Sequence, residues 1–214
     1  ACAAFASSGG TVCRSVAEAA AGCTLLFVVV FTAAQAREVL FGDDGAAAAL
    51  APGATVSNHA TTSPAQAQEL EAECGERRLL FLDSPVTGGK AGADAGSLTI
   101  ISSGSAAARN AAAKAYEAMS PRGKVVHCGD KAGAASTVKM ANQMLVGVHA
   151  VAAAEALTLA RAGGAVRFAP ASSDAGTLPL IALALELLYR TRKSCTMSSH
   201  QGQATAAFSS SGCH

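Results

Sequence analysis

Two stretches of the sequence combine residue types that could do chemistry. The first is Asp83-Ser-Pro-Val-Thr-Gly-Gly-Lys-Ala-Gly-Ala-Asp-Ala-Gly-Ser97. Its adjacent Gly88 and Gly89 let a backbone approach a ligand closely and turn its amides toward an anion, and Thr87 adds a hydroxyl donor. Such a set suits a small carboxylate. It is not a nucleotide P-loop, because Lys90 is followed by Ala91 and position 84 is Ser rather than Gly. Taken alone, an ordinary glycine-rich turn is the commoner source of such a stretch. The second runs Gly129-Asp-Lys-Ala-Gly-Ala-Ala-Ser-Thr-Val-Lys139-Met-Ala-Asn142-Gln143. Lys139 and Asn142 stand three apart, so on a helix they share a face. An ammonium and an amide pointing together into a cleft can bind a hydroxy acid, and the amine can exchange a proton with its hydroxyl. Lysines on helices are mostly surface residues. Here, however, Val138, Met140 and Ala141 flank the lysine, and no further charge follows until Glu155.

The elements that must position these residues alternate between strand-like and helix-like runs. Thr24 to Phe31 (TLLFVVVF) is a continuous apolar run, expected to be a strand buried on both faces. Ala33 to Leu40 reads as a helix and Ala54 to Ser57 as a short strand. Ser63 as N-cap with Pro64 in the first turn opens a helix to about Cys74. Arg77 to Leu82, Ser97 to Ser102 and Lys124 to His127 read as further strands, with a helix from about Ser105 to Met119. This alternation predicts an α/β fold of βαβ units with a mostly parallel sheet covered on both faces. The 83–97 stretch then lies at the carboxyl end of a strand, where open α/β sheets bind ligands. From Ala132 to Gly163 the chain reads as one long helix, the start of a second, helical domain. Leu178 to Tyr189 could form one more helix. Ser194 to His214 is Ser/Ala/Gly-rich and is expected to be disordered.

Composition narrows the function classes. The net charge is +1, charged residues make up 14%, and nine aromatics (seven Phe, two Tyr) do not interleave with basic residues. A nucleic-acid-binding role is therefore not expected. Neither Leu25–Phe31 nor Leu178–Tyr189 is long enough to span a bilayer, and no membrane association is expected. Seven cysteines without a C-x-x-C pair, and five histidines without ligand spacing, argue against a disulfide framework and against a metal site. Reduced cysteines in an intracellular compartment, cytoplasmic or organellar, are the expectation, and no signal-peptide pattern opens the chain.

With both motifs in hand, the chain resembles the β-hydroxyacid dehydrogenase family, that of 3-hydroxyisobutyrate dehydrogenase, related to 6-phosphogluconate dehydrogenase. The 83–97 stretch is similar to the family's substrate-binding motif. The 129–143 stretch is similar to its catalytic-lysine motif, G-x-x-G-x-x-x-x-x-K-x-x-N-[NQ]. The SLTIISSG and AEALTLARAGG segments also fit, so the resemblance covers roughly residues 1–164. It implies an NAD- or NADP-dependent oxidoreductase passing hydride between a β-hydroxy acid and a nicotinamide. Lys139 is then the acid/base, Asn142 orients the substrate, and Thr87, Gly88 and Gly89 hold its carboxylate. Val30, Phe31 and Thr32, with Thr61 and Thr62, border the cofactor. His59, Asp94 and His149 are read as loop or helix surface. SSG within SLTIISSG, and NQMLVGVH after the lysine, resemble a threonate-type sugar-acid dehydrogenase subgroup. A non-catalytic relative serving as a binding module is the alternative of another class.

Two departures from the family pattern matter. The strand–GxGxMG–helix that holds a dinucleotide pyrophosphate is not found in this sequence, and Ala1 to Gly10 matches only the helix after the family's second strand. Residues 165–214 do not match the family's continuation. The expectation is thus a truncated Rossmann-type dinucleotide-binding domain at 1–129, the first long helix of an all-α domain at 130–164, and a divergent tail at 165–214. Such a fragment is expected to be inactive alone, and the full-length protein is expected to be a homo-oligomer. The choice between NAD and NADP stays open.

Overall fold

The computed structural model describes residues 2–164. The expected features at Leu178–Tyr189 and Ser194–His214 lie outside the described residues. In chain order the elements are α1 (Cys2–Ser7), α2 (Val16–Ala20), β1 (Leu25–Val28), α3 (Ala33–Phe41), α4 (Ala46–Ala49), β2 (Thr55–Asn58) and α5 (Pro64–Glu76). They continue with β3 (Leu80–Asp83), β4 (Val86–Thr87), α6 (Gly89–Asp94), β5 (Thr99–Gly104), α7 (Ala106–Met119), β6 (Lys124–Gly129) and α8 (Ala134–Ala162). The chain divides into two compact units at Asn142, within α8.

The first unit is built on a single sheet in which β1 pairs with β2 and β2 with β3, both in parallel. Val28, Asn58 and Asp83 are aligned across these three strands. In-register neighbours point to the same face, so the three side chains line up at the carboxyl edge. The expectation of a mostly parallel sheet needs correction at β5. That strand runs antiparallel to both β3 and β4 and parallel only to β6. The glycine-rich 83–97 stretch causes the difference. It turns back through β4 and the one-and-a-half-turn α6, too short a path for the helical crossover that a parallel return requires.

Apolar side chains cover both faces, as the pattern predicts. On one face Val28, Val56 and Phe81 pack with Ala36 and Leu40 of α3 and Ala67, Leu70 and Cys74 of α5. On the other, Leu82 and Ile100 pack with Ala108, Ala112 and Tyr116 of α7, with Phe27 and Leu80 at the margin. Alanines on the helices let them lie close to the sheet.

Two strand expectations are overturned. The TLLFVVVF run is not a strand to its end and is not buried on both faces: β1 stops at Val28, Val29 is exposed and Phe31 is 90% exposed. Among the described residues the strand pairs only with β2, at the end of the sheet, so its apolar residues have a strand neighbour on one side. Arg77 and Arg78 do not begin β3. They form the turn after α5, with Arg78 at φ 58°, and the strand begins at Leu80. The helix starts follow local chemistry: Ser63 and Gln66 make a reciprocal capping box with Pro64 in the first turn, and Thr32 with Gln35 does the same for α3.

In the second unit the described residues continue α8 to Ala162. Met144, Leu145, Val148, Val151 and Leu159 are exposed there. By length and composition alone, α8 is long and apolar enough to cross a membrane. The sequence reading weighed only the 25–31 and 178–189 runs on this point.

Candidate active site

Lys139 lies one and a half turns into α8 and is 7% exposed. Its ammonium donates to the carbonyl of Val86 at 2.8 Å, at the start of the two-residue β4. That bond brings the lysine to the residue immediately before Thr87. Among the described residues Lys139 forms no ion pair. Burial without a counter-charge disfavours the ammonium and lowers the pKa of Lys139 from the ordinary lysine value. A lysine in that state exchanges protons closer to neutrality than a surface lysine does.

The loop beside it is shaped by its glycines. Gly88 has φ 125° and Gly89 φ 59°, backbone conformations that L side chains rarely adopt. A Cβ at Gly88 would also stand 3.2 Å from Leu98. Both glycines are exposed and Thr87 is half-buried, so the turn presents backbone to solvent at the sheet's carboxyl end. Asn142, three residues beyond Lys139, is half-buried on the same helix. The structure thus brings Lys139 against the strand that carries Thr87 and leads into Gly88.

The residues assigned to the cofactor border are arranged differently. Thr32 is spent on capping: its hydroxyl accepts from Gln35 N, while Gln35 Oε1 accepts from the amides of Phe31 and Thr32. Val30 is half-buried and Phe31 lies almost wholly in solvent. Thr61 is exposed, but Thr62 is buried and its hydroxyl hydrogen-bonds Ser136 Oγ at 3.0 Å. These residues sit at the exits of β1 and β2, where an open α/β sheet takes ligands. They do not fit a diphosphate. That group needs free amides at a glycine-rich strand–helix turn. The caps of α3 and α5 take the N-cap and third amides of each helix, and neither turn contains a glycine to bring a diphosphate close to the amides that remain.

Sequence reasoning missed the buried polar groups around this corner. Asp83, wholly buried, accepts from Gly133 N (2.9 Å), Ser136 N (2.9 Å) and Ser136 Oγ (2.8 Å), with Ser103 Oγ at 3.5 Å. The signal was present: an acidic residue ends an apolar strand and opens the first motif. His59, read as surface, is 6% exposed. Its ring meets Phe27 and Tyr116, and Nε2 shares a hydrogen bond with Ser57 Oγ at 3.0 Å. Burial lowers its pKa to about 4, with the Ser84 backbone opposing, so the ring is neutral at pH 7. Asp94 and His149 are exposed as expected, Asp94 paired with Lys90.

Known proteins are similar to this chain in sequence and in fold. The family model for the NAD binding domain of 6-phosphogluconate dehydrogenase matches residues 1–129. L-threonate dehydrogenase of Cupriavidus necator is 44% identical over 155 residues, which is 72% of this chain and 52% of that protein. A crystal structure of 3-hydroxyisobutyrate dehydrogenase from Salmonella typhimurium superposes with a TM-score of 0.71 at 40% identity, covering 76% of this chain and 56% of that one. The Mycobacterium tuberculosis 3-hydroxyisobutyrate dehydrogenase with L-serine gives 0.67 at 32% identity, covering 77% and 55%. The chain spans about half the length of the curated relatives it matches. On the family match over its first 129 residues, the chain belongs to the family of the NAD binding domain of 6-phosphogluconate dehydrogenase.

Proposed function

We propose that this chain carries the substrate half of an NAD(P)-linked β-hydroxy acid dehydrogenase. Thr87, Gly88 and Gly89 take the substrate carboxylate, Asn142 orients the substrate, and Lys139 Nζ takes the proton of its hydroxyl. The observation that carries this reading is the buried lysine, without an ion-pair partner among the described residues, hydrogen-bonded to the strand that leads into a glycine turn. A nicotinamide dinucleotide supplies the hydride acceptor in such chemistry. Val30, Phe31, Thr32, Thr61 and Thr62 would border it. The 40–44% identities to proteins named L-threonate and 3-hydroxyisobutyrate dehydrogenase support both a four-carbon sugar acid and a β-hydroxy acid as substrate. The family match ending at residue 129 supports dividing the chain there, with 130–164 opening a helical domain and 165–214 a divergent tail. The exposed apolar residues of α8 support self-association of the complete protein.

Neither the β1–α3 nor the β2–α5 turn is a glycine-rich phosphate cradle, and on this reading the 214-residue chain holds NAD or NADP weakly and does not turn over. Calorimetric titration with either dinucleotide should show no binding tighter than about the millimolar range. Micromolar binding would reveal a phosphate site in this chain and overturn that part of the proposal. Catalysis is tested in a hybrid in which residues 24–164 replace the matching segment of the C. necator L-threonate dehydrogenase. Lys139-dependent reduction of NAD or NADP by L-threonate or 3-hydroxyisobutyrate is the expected result. A folded hybrid without it would favour a non-catalytic binding role.

A further inference from the structure

The first turn of α8 is held by side chains from three other elements. Ala132 N donates to Glu71 Oε1 of α5 at 3.2 Å, and Ala135 N donates to Ser103 Oγ of β5 at 3.1 Å. Gly133 N and Ser136 N both donate to Asp83 Oδ2 of β3 at 2.9 Å, and Ser136 Oγ donates to Oδ1 at 2.8 Å. Gly133 can turn its amide this way because it sits at φ 96°; a Cβ there would stand 3.0 Å from the Pro64 carbonyl oxygen and from Gln68 Nε2.

This clamp shares a register with the lysine. Asp83 and Ser136 are 53 residues apart, and so are Val86 and Lys139. Three residues along the chain from Asp83 lead out of β3 to Val86. Three residues along α8 from Ser136 lead to Lys139, on the same helix face. The two bonds therefore close a short circuit in which Asp83 fixes one rung and Lys139–Val86 is the other. A long lysine side chain loses substantial rotamer entropy when confined, so the distance between rungs must be set by something stiffer than the lysine. Asp83, wholly buried and accepting from three atoms of the helix start, meets that need.

We infer that Asp83 is the positioning residue of this site: it sets the height of α8 against the β3–β4 turn and thereby aims Lys139 at the Thr87–Gly89 loop. It does not touch the substrate in this account. The inference rests on the functional reading above for its meaning, but its geometry can be tested without substrate.

The test is lysine acylation of the 214-residue chain with an N-hydroxysuccinimide acetate, followed residue by residue by mass spectrometry across a pH series. Exposed Lys114 and Lys124 serve as internal controls. In the parent chain Lys139 reacts slowly. Asp83→Ala should raise the Lys139 rate by roughly tenfold, as expected when a buried hydrogen-bond set is lost and local opening eases. The midpoint of its pH profile should move up toward the ordinary lysine value, while both controls keep their rates. Asp83→Asn should restore slow labelling. A carboxamide can present its oxygen to both amides and its NH2 to Ser136 Oγ, which then accepts. Where Asp83→Ala accelerates all lysines alike, the fold is lost and Ser136→Ala decides: a selective rise at Lys139 supports the inference. Unchanged Lys139 protection in a folded Asp83→Ala or Ser136→Ala chain overturns it, and so does failure of Asp83→Asn to rescue. A protected Lys139 in a hybrid that reduces no NAD(P) would overturn the functional reading and leave the positioning role standing.

Discussion

The amides that open α3 and those that open α8 are satisfied in opposite ways. At α3, Thr32 and Gln35 cap each other three residues apart, and the preceding Phe31 stands in solvent. At α8, the acceptors come from Glu71, Asp83 and Ser103, all at least 32 residues away in sequence. A local cap stops a helix fraying but says nothing about where the helix lies. A remote cap fixes the helix start to the sheet. The β1 exit, assigned to the cofactor border, is built locally. The β3 exit, assigned to the substrate, is built by the fold. The lysine that needs a set reach is on the second.

That contrast can be sharpened by ordered measurements. The largest effect is expected at His59, on the β2 exit beside the Ser84 backbone. Its folded pKa of about 4 lies below the ordinary 6.5, so the unfolded chain binds the extra proton between those values. Stability is then fully present above about pH 6.5 and falls as pH drops toward 4, by up to about 3 kcal/mol. Urea titrations at pH 7 and pH 4.5 should show this loss, and His59→Gln should flatten it. An equally steep fall in His59→Gln would place the acid sensitivity elsewhere.

A smaller loss, about 2 kcal/mol, is expected for Ser136→Ala at pH 7, because Asp83 Oδ1 and Thr62 Oγ1 both lose a buried partner. Thr32→Ala should cost about 1 kcal/mol, the usual worth of an N-cap, and Phe31→Ser less than about 0.5 kcal/mol at an exposed site. If Thr32→Ala proved costlier than Ser136→Ala in the same denaturant series, the distinction between a locally built and a remotely built exit would fail.

The sequence was most legible where structure is decided locally. Ser63-Pro64 marked the start of α5, the apolar run marked β1, and the absence of proline carried α8 from near Ala132 to near Gly163. The three-residue spacing placed Lys139 and Asn142 together on that helix. What was not legible depended on partners remote in sequence. Nothing near TLLFVVVF says that its strand ends the sheet, so its burial was overestimated. Nothing near His59 shows that Phe27 and Tyr116 enclose it. The antiparallel return of β5 follows from how tightly Val86 to Asp94 turns, a property of Gly88 and Gly89 that residue type suggests but pattern does not fix. Asp83 was quoted as the first letter of a motif, and its role emerged only with Gly133 and Ser136 in place.

The central claim is that Lys139 is the acid/base of a hydroxy acid site, and turnover measures it most directly. In the hybrid carrying residues 24–164, Lys139→Ala should lower kcat by roughly two to four orders of magnitude, the usual contribution of a positioned acid/base. Much of the KM for L-threonate or 3-hydroxyisobutyrate should survive on the Thr87–Gly89 loop and Asn142. A folded Lys139→Ala hybrid with near-normal kcat would show that the lysine only binds or braces, and would contradict the account.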